Sequence, residues 1–149
     1  MSLESKIMGD LKAAMKAKDQ AALRTIRAIK AAILLQKTDG SGAELTEEME
    51  IKMIQKLAKQ RQDSYDIYIK QNRQDLADIE KEELDVLKRY LPEQLSEDKI
   101  KEVVVSIIEK VGAEGMKDMG KVMGMASKEL AGKADGKTIA GIVRAALTA

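Results

Sequence analysis

Leu91-Pro92-Glu93-Gln94-Leu95-Ser96 organises this chain of 149 residues, because it holds the single proline. Proline has no backbone N–H and pushes the residue before it out of the helical region, so a helix arriving at Leu91 ends there. Ser96 is a good N-cap, and a new helix starts just beyond it. Ala, Leu, Lys, Glu and Gln are abundant on both sides, while Val and Ile recur at helical rather than alternating spacing. The expectation is an all-α protein in two parts: an N-terminal antiparallel helical domain over residues 1–91, then a small three-helix domain over 92–149.

Upstream of the proline, four amphipathic helices are expected. Ser2 caps the first, which turns Leu3, Ile7, Leu11, Ala14 and Met15 inward. Asp19 caps the second, with a stripe of Leu23, Ile26, Ile29 (or Ala22), Ile33 and Leu34. Thr38-Asp39-Gly40-Ser41-Gly42 reads as a loop. Thr46 caps a long helix bearing Met49, Met53, Ile54, Leu57, Tyr65, Tyr68 and Ile69. The stripe breaks at Asn72-Arg73-Gln74-Asp75, read as a turn rather than a kink, and resumes with Leu76, Ile79, Leu84, Leu87 and Leu91.

Downstream, Ile100, Val103, Val104, Ile107, Ile108 and Val111 line a helix that Gly112 stops. Asp118 is expected to cap a helix of Met119, Val122, Met123, Ala126 and Leu130, ended by Gly132. Asp135 caps the last, with Ile139, Ile142, Val143, Ala146 and Leu147 inward. A unit this short lies near the lower limit for an independent core.

Composition narrows the chemistry. His and Cys are both absent, which removes the usual base near neutral pH, thiol nucleophiles and the commonest transition-metal ligands. The only aromatics are Tyr65, Tyr68 and Tyr90, so a stacking platform for single-stranded nucleic acid is not expected. Glu47-Glu48-x-Glu50 and Glu82-Glu83 read as solvated helix surface, because bundle metal sites pair such carboxylates with His. No catalytic residue, metal site or cofactor is expected. No apolar run reaches the ~20 residues that cross a bilayer, and no signal-peptide pattern precedes Glu4. A cytoplasmic protein with no membrane partner is the expectation.

Charge is segregated along the chain. Residues 1–37 carry eight Lys/Arg against three acids, 38–91 nine against thirteen, 92–116 three against six, and 117–149 six against three. Both ends are basic. In the last segment Lys117, Lys121 and Lys128 accompany Gly120 and Gly124, Lys133 and Lys137 flank Asp135-Gly136, and Arg144 follows. Small residues four apart share one helix face, and a helix N-terminus with lysines around it favours anions. The candidate nucleic-acid-binding residues are therefore Lys117, Lys121, Lys128, Lys133, Lys137 and Arg144, with close backbone approach at Gly120, Gly124 and Gly132. The plain alternatives are a solvated lysine surface and close packing of the glycines inside the unit. Met116, Met119, Met123 and Met125 read as core gap-fillers before they read as a docking face.

Leu91-Pro92-x-Gln94-Leu95-Ser96, Lys117-Asp118-Met119-Gly120-Lys121-Val122-Met123 and Gly132-Lys133-Ala134-Asp135-Gly136-Lys137 together resemble the YqeY family. So do Asp10-Leu11-x-x-Ala14-Met15-Lys16-Ala17-Lys18-Asp19, Leu23-x-x-Ile26-Arg27 and Asn72-Arg73-x-Asp75-Leu76-Ala77. The family is similar to the C-terminal helical and tail region of the B subunit of the tRNA-dependent amidotransferase, whose tail contacts tRNA while other parts do the chemistry. The resemblance implies an all-α fold, a hinged tail and contact with tRNA or an amidotransferase. Its pattern falls on Gly120, Gly124, Lys128, Gly132, Lys133, Ala134 and Lys137. It departs at Gly136, where the tail often has Pro. The implied function is a non-catalytic tRNA-binding or amidotransferase-associated accessory protein. Glutamine-dependent carbon–nitrogen ligase activity belongs to the complex rather than to this chain. The rival is a helical protein-interaction module with no nucleic-acid role.

Overall fold

The computed structural model describes residues 2–40 and 44–148. Among them are seven α-helices, one short 3-10 turn and no strand, so the protein is all-α. The helices are α1 (Leu3–Ala17), α2 (Gln20–Lys37), α3 (Glu47–Lys70), α4 (Gln74–Lys88), α5 (Glu97–Val111), α6 (Met119–Glu129) and α7 (Gly136–Thr148), with the 3-10 turn at Met116–Asp118 leading into α6. The chain divides into two compact units, Met1–Leu91 and Pro92–Ala149.

Side-chain caps set most of the helix starts. Ser2 Oγ accepts from the Ser5 N–H at 3.2 Å, Asp19 from Ala22 at 3.0 Å, Thr46 from Met49 at 3.2 Å, and Ser96 from Lys99 at 3.3 Å. Each satisfies a first-turn donor that the helix leaves orphaned. Asp118 departs from this pattern. It already has near-helical backbone angles, because the 3-10 turn runs straight into α6. Its carboxylate instead accepts from the Glu114 N–H at 2.9 Å.

In the first unit, α1 packs on α2, α2 on α4, and α3 on α4. An ion pair between Glu4 and Lys37 joins the start of α1 to the end of α2, so the two run in opposite directions. Asn72, at φ 57°, turns the chain between α3 and α4, which makes the break at 72–75 a turn between two helices. The core gathers Leu3, Ile7, Ala14, Leu23, Ile26, Ile29, Ile33, Ile54, Val86 and Leu87. Arg61 and Glu83 pair at 3.7 Å across α3 and α4, both largely buried. The 38–42 loop is described only to Gly40; Ser41 and Gly42 lie outside the described residues.

Some expected inward residues face solvent. Met15 and Leu34 are exposed, and so are Ile69 and Ile79 in the α3–α4 hairpin. Met15 and Leu34 sit at the edges of their apolar stripes, beyond the reach of the neighbouring helix. Ala77 and Val86 are buried in their place on α4. Nor does α4 run to Leu91: it ends at Lys88, and Arg89, Tyr90 and Leu91 bond three residues back in a tightened last turn.

That turn places Tyr90 against α1. Its hydroxyl donates to the Asp10 carboxylate at 2.6 Å, and the Lys6 ammonium lies 5.2 Å from its ring centre. In the second unit α5, α6 and α7 each pack on the other two, around Ile100, Val104, Ile107, Val122, Ala126, Leu130, Ile139, Val143 and Leu147. Gly112 (φ 65°) ends α5 in the left-handed region that favours glycine, whereas α6 ends already at Glu129, capped by Leu130, and Gly132 (φ 78°) lies in the turn that follows.

Leu87 is fully buried at the centre of the first core, so Leu87→Ala is expected to cost about 2–5 kcal/mol, read as a lower urea midpoint. Burial, and then the bond to Asp10, raise the Tyr90 phenol above its ordinary range. A raised folded-state pKa means that the unfolded chain loses the proton first. Tyr90 therefore stabilises the fold fully below about pH 10, and this contribution falls as pH rises further. Tyr90→Phe is expected to flatten the alkaline loss of stability, measured by denaturation at a series of pH values.

Candidate nucleic-acid interface

The first anchor of the basic region lies just after the proline. Gln94 Nε2 donates to the Gly132 carbonyl at 2.6 Å and to the Pro92 carbonyl at 2.8 Å. The Leu95 N–H donates to the Lys133 carbonyl at 3.0 Å. The segment leading into α5 thereby holds the turn between α6 and α7. Gly132 is buried, so its close approach is to its own chain, and Ala134 is buried beside it.

Asp135 closes the next possibility. Its Oδ1 accepts from the Thr138 N–H at 2.8 Å and its Oδ2 from the Thr138 hydroxyl at 2.8 Å. The N-terminus of α7 therefore already holds a carboxylate where an external anion would sit. One first-turn N–H of this helix, that of Thr138, is thus taken up within the chain.

The solvent side of α6 is different. Gly120 and Gly124 are exposed, and a Cβ built on either would meet nothing within 4 Å. They are therefore not packed inside the unit. Lys121 and Lys128 stand three before and four after Gly124, on the same side of the helix. Both are exposed, and neither forms an ion pair among the described residues. Lys117, just ahead in the 3-10 turn, pairs with Glu114 at 3.4 Å; both are well exposed, so the pair holds the ammonium weakly. The result is a strip of bare helical backbone edged by ammonium groups.

Along α7, Lys137 and Arg144 are seven residues apart and share the outward face with Gly141, which also has open space around it. The reading from sequence missed Gly141, although its spacing, four from Lys137 and three from Arg144, marks it. Because α5, α6 and α7 pack mutually, the outward sides of α6 and α7 face different directions. The six cations thus form an α6 group (Lys117, Lys121, Lys128), an α7 group (Lys137, Arg144) and Lys133 in the turn between them. Met119, Met123 and Met125 pack against the core of the unit and only Met116 is exposed, as gap-filling requires. The carboxylate clusters are engaged elsewhere: Glu48 with Lys52, Glu82 with Arg24 and Glu83 with Arg61.

The family model described as Yqey-like protein matches residues 4–147. The chain belongs to this family. Among curated relatives, a protein of Pyrenophora tritici-repentis is 34% identical over 131 residues, which cover 87% of this chain and 71% of the relative. One from Kluyveromyces lactis is 32% identical over 139 residues, covering 91% and 71%. One from Lachancea thermotolerans is 39% identical over 82 residues, covering 55% and 44%. The match thus spans 44% of the last relative's length and 71% of the other two.

Each is named "Altered inheritance of mitochondria protein 41, mitochondrial". This overturns the cytoplasmic expectation for the YqeY-family chain. Missing cysteines and apolar spans separate secreted or membrane-crossing proteins from others, but do not distinguish the cytosol from the interior of a mitochondrion.

Gly124→Ala adds a methyl to open space and removes a flexible helix-interior glycine. It is expected to stabilise the C-terminal unit by about 0.5–1 kcal/mol, seen as a higher thermal midpoint.

Proposed function

We propose that this YqeY-family chain is a non-catalytic accessory protein that binds structured RNA of the tRNA kind through the solvent side of α6. The observation that supports this most directly is the pairing of open glycines with unpaired lysines. Gly120 and Gly124 leave the helix backbone bare, and Lys121 and Lys128 beside them have no acidic partner among the described residues. A bulky polyanion can lie close to such a helix, where side chains at those two positions would hold it off. Structured RNA is met mainly through shape, phosphates and 2′-hydroxyls, which suits a surface without stacking aromatics. The similarity of the family to the tail region of the amidotransferase B subunit points the same way, and association with such an enzyme is part of this reading. Chemistry would then belong to the partner.

The competing reading, a protein-docking face built from methionine and glycine, has less support, because Met119, Met123 and Met125 are engaged with the core. Filter binding to total tRNA at several salt concentrations tests the proposal. With about three phosphates neutralised, log K is expected to fall against log salt with a slope of roughly −2 to −3. Lys121→Ala with Lys128→Ala is expected to weaken binding roughly tenfold and make the slope shallower by about 2. Unchanged affinity and slope would sink the assignment to α6. Amidation of mischarged tRNA by the purified chain alone would sink the non-catalytic part.

A further inference from the structure

The first helical pair carries a second surface, which stands apart from the RNA reading and does not depend on it. Four of the large apolar side chains most open to solvent lie on α1 and α2: Met8 at 51%, Met15 at 58%, Leu34 at 63% and Leu35 at 73% exposed. Three of them share one side. The Glu4–Lys37 ion pair marks one side of the pair. From Glu4, Met8 and Met15 follow on that side of α1 at spacings of four and eleven. From Lys37, Leu34 and Lys30 follow on that side of α2 at three and seven. Arg27 continues that side of α2, Leu35 lies about 100° further round on its other flank, and Lys12 stands between the two methionines.

The two helices themselves are rich in cations, although Glu44 and Glu50 line the hollow beside the Glu4–Lys37 end. α2 contains no acid from Gln20 to Lys37, and residues 1–37 contain only three acids in all. Each of the three is engaged: Glu4 with Lys37, Asp10 with the Tyr90 hydroxyl, and Asp19 with the Ala22 N–H. Among the cations, Lys6 lies over Tyr90 and Arg24 pairs with Glu82. Lys12, Lys16, Lys18, Arg27 and Lys30 are exposed and have no ion pair among the described residues.

We infer that this outward face is a docking surface for an anionic phospholipid bilayer, against which the α1–α2 pair lies flat. No helix in the described residues is long and apolar enough to cross a membrane, so the contact is with the surface. The mixture of groups selects the partner. Phosphates of nucleic acid gain from cations and N–H donors but little from Leu34, Met8 or Met15. A lipid surface takes both, because its headgroups attract lysine and arginine while the apolar side chains enter the boundary of the acyl region. With three apolar side chains on this face, attachment is reversible and salt-sensitive.

Flotation of the full chain with vesicles tests this, comparing pure phosphatidylcholine with a mixture containing about 30 mol % phosphatidylglycerol. The partition coefficient is expected to be roughly tenfold or more higher for the anionic vesicles and to fall as salt rises. Leu34→Ser is expected to reduce it roughly threefold at unchanged helicity, since the side chain is already in solvent. Lys12→Glu with Lys30→Glu is expected to abolish it. Lys121→Ala with Lys128→Ala is expected to leave it intact. Equal partition into neutral and anionic vesicles overturns the inference, as does undiminished binding of the leucine variant. Loss of binding in the α6 variant moves the contact elsewhere and overturns it too. So does the finding that this face binds RNA or an acidic protein while vesicles are ignored.

Discussion

Two carbonyl groups, those of Gly132 and Lys133, carry the organisation of the C-terminal unit. Gln94 and the Leu95 N–H take hold of them 38 residues away along the chain. The turn they fasten would otherwise be free to swing, because Gly132 sits in the left-handed region and the next helix starts only at Gly136. Once fastened, it fixes where Asp135 caps α7 and how α6 lies on α5 and α7. Carbonyls drawn into a packed turn are costly to leave unpaired. The side chain two residues after the proline is thus an internal clamp, and the position of every cation downstream is referred to it.

The second constraint is how the acids are spent. In the N-terminal helical pair each carboxylate is tied to a cap, a phenol or a lysine. In the C-terminal segment Asp118 holds the Glu114 N–H and Asp135 holds Thr138. These attachments leave neighbouring cations without ion pairs among the described residues. A net charge of +1 therefore conceals two surfaces of positive character, one with apolar side chains among the cations and one with bare glycine backbone. That difference in the accompanying residues is what assigns them different kinds of partner.

Helices were legible where short-range rules decide. Ser2, Asp19, Thr46 and Ser96 cap because a side-chain oxygen and a first-turn N–H are three residues apart, a spacing that can be read directly. The Asn72 turn was legible from the break in apolar rhythm. What periodicity lacks is the width of the buried stripe: Met15 and Leu34 lie on stripe edges where no second helix arrives, so they stay in water. Asp118 was misread because a 3-10 turn precedes α6 and removes the extended backbone that an N-cap needs. For the candidate site, the positions of the lysines were legible but their freedom was not. Gly132 turns out to be held internally, through a contact with Gln94 that no spacing reveals. Gly120 and Gly124, by contrast, face open space rather than a packed neighbour.

The make-up of α6 bears on cooperativity. A helix of eleven residues is too short to persist alone in water, and the glycine at its middle, Gly124, lowers its intrinsic stability further. Its order is borrowed through Val122, Ala126 and Leu130, which are anchored on α5 and α7. When that packing melts, the lysine-edged strip is lost with it, since the helical spacing that aligns Lys121 with Lys128 exists only in the folded helix. The cationic surface of α6 is therefore a property of the folded unit, and it will vanish at the temperature where the three helices part.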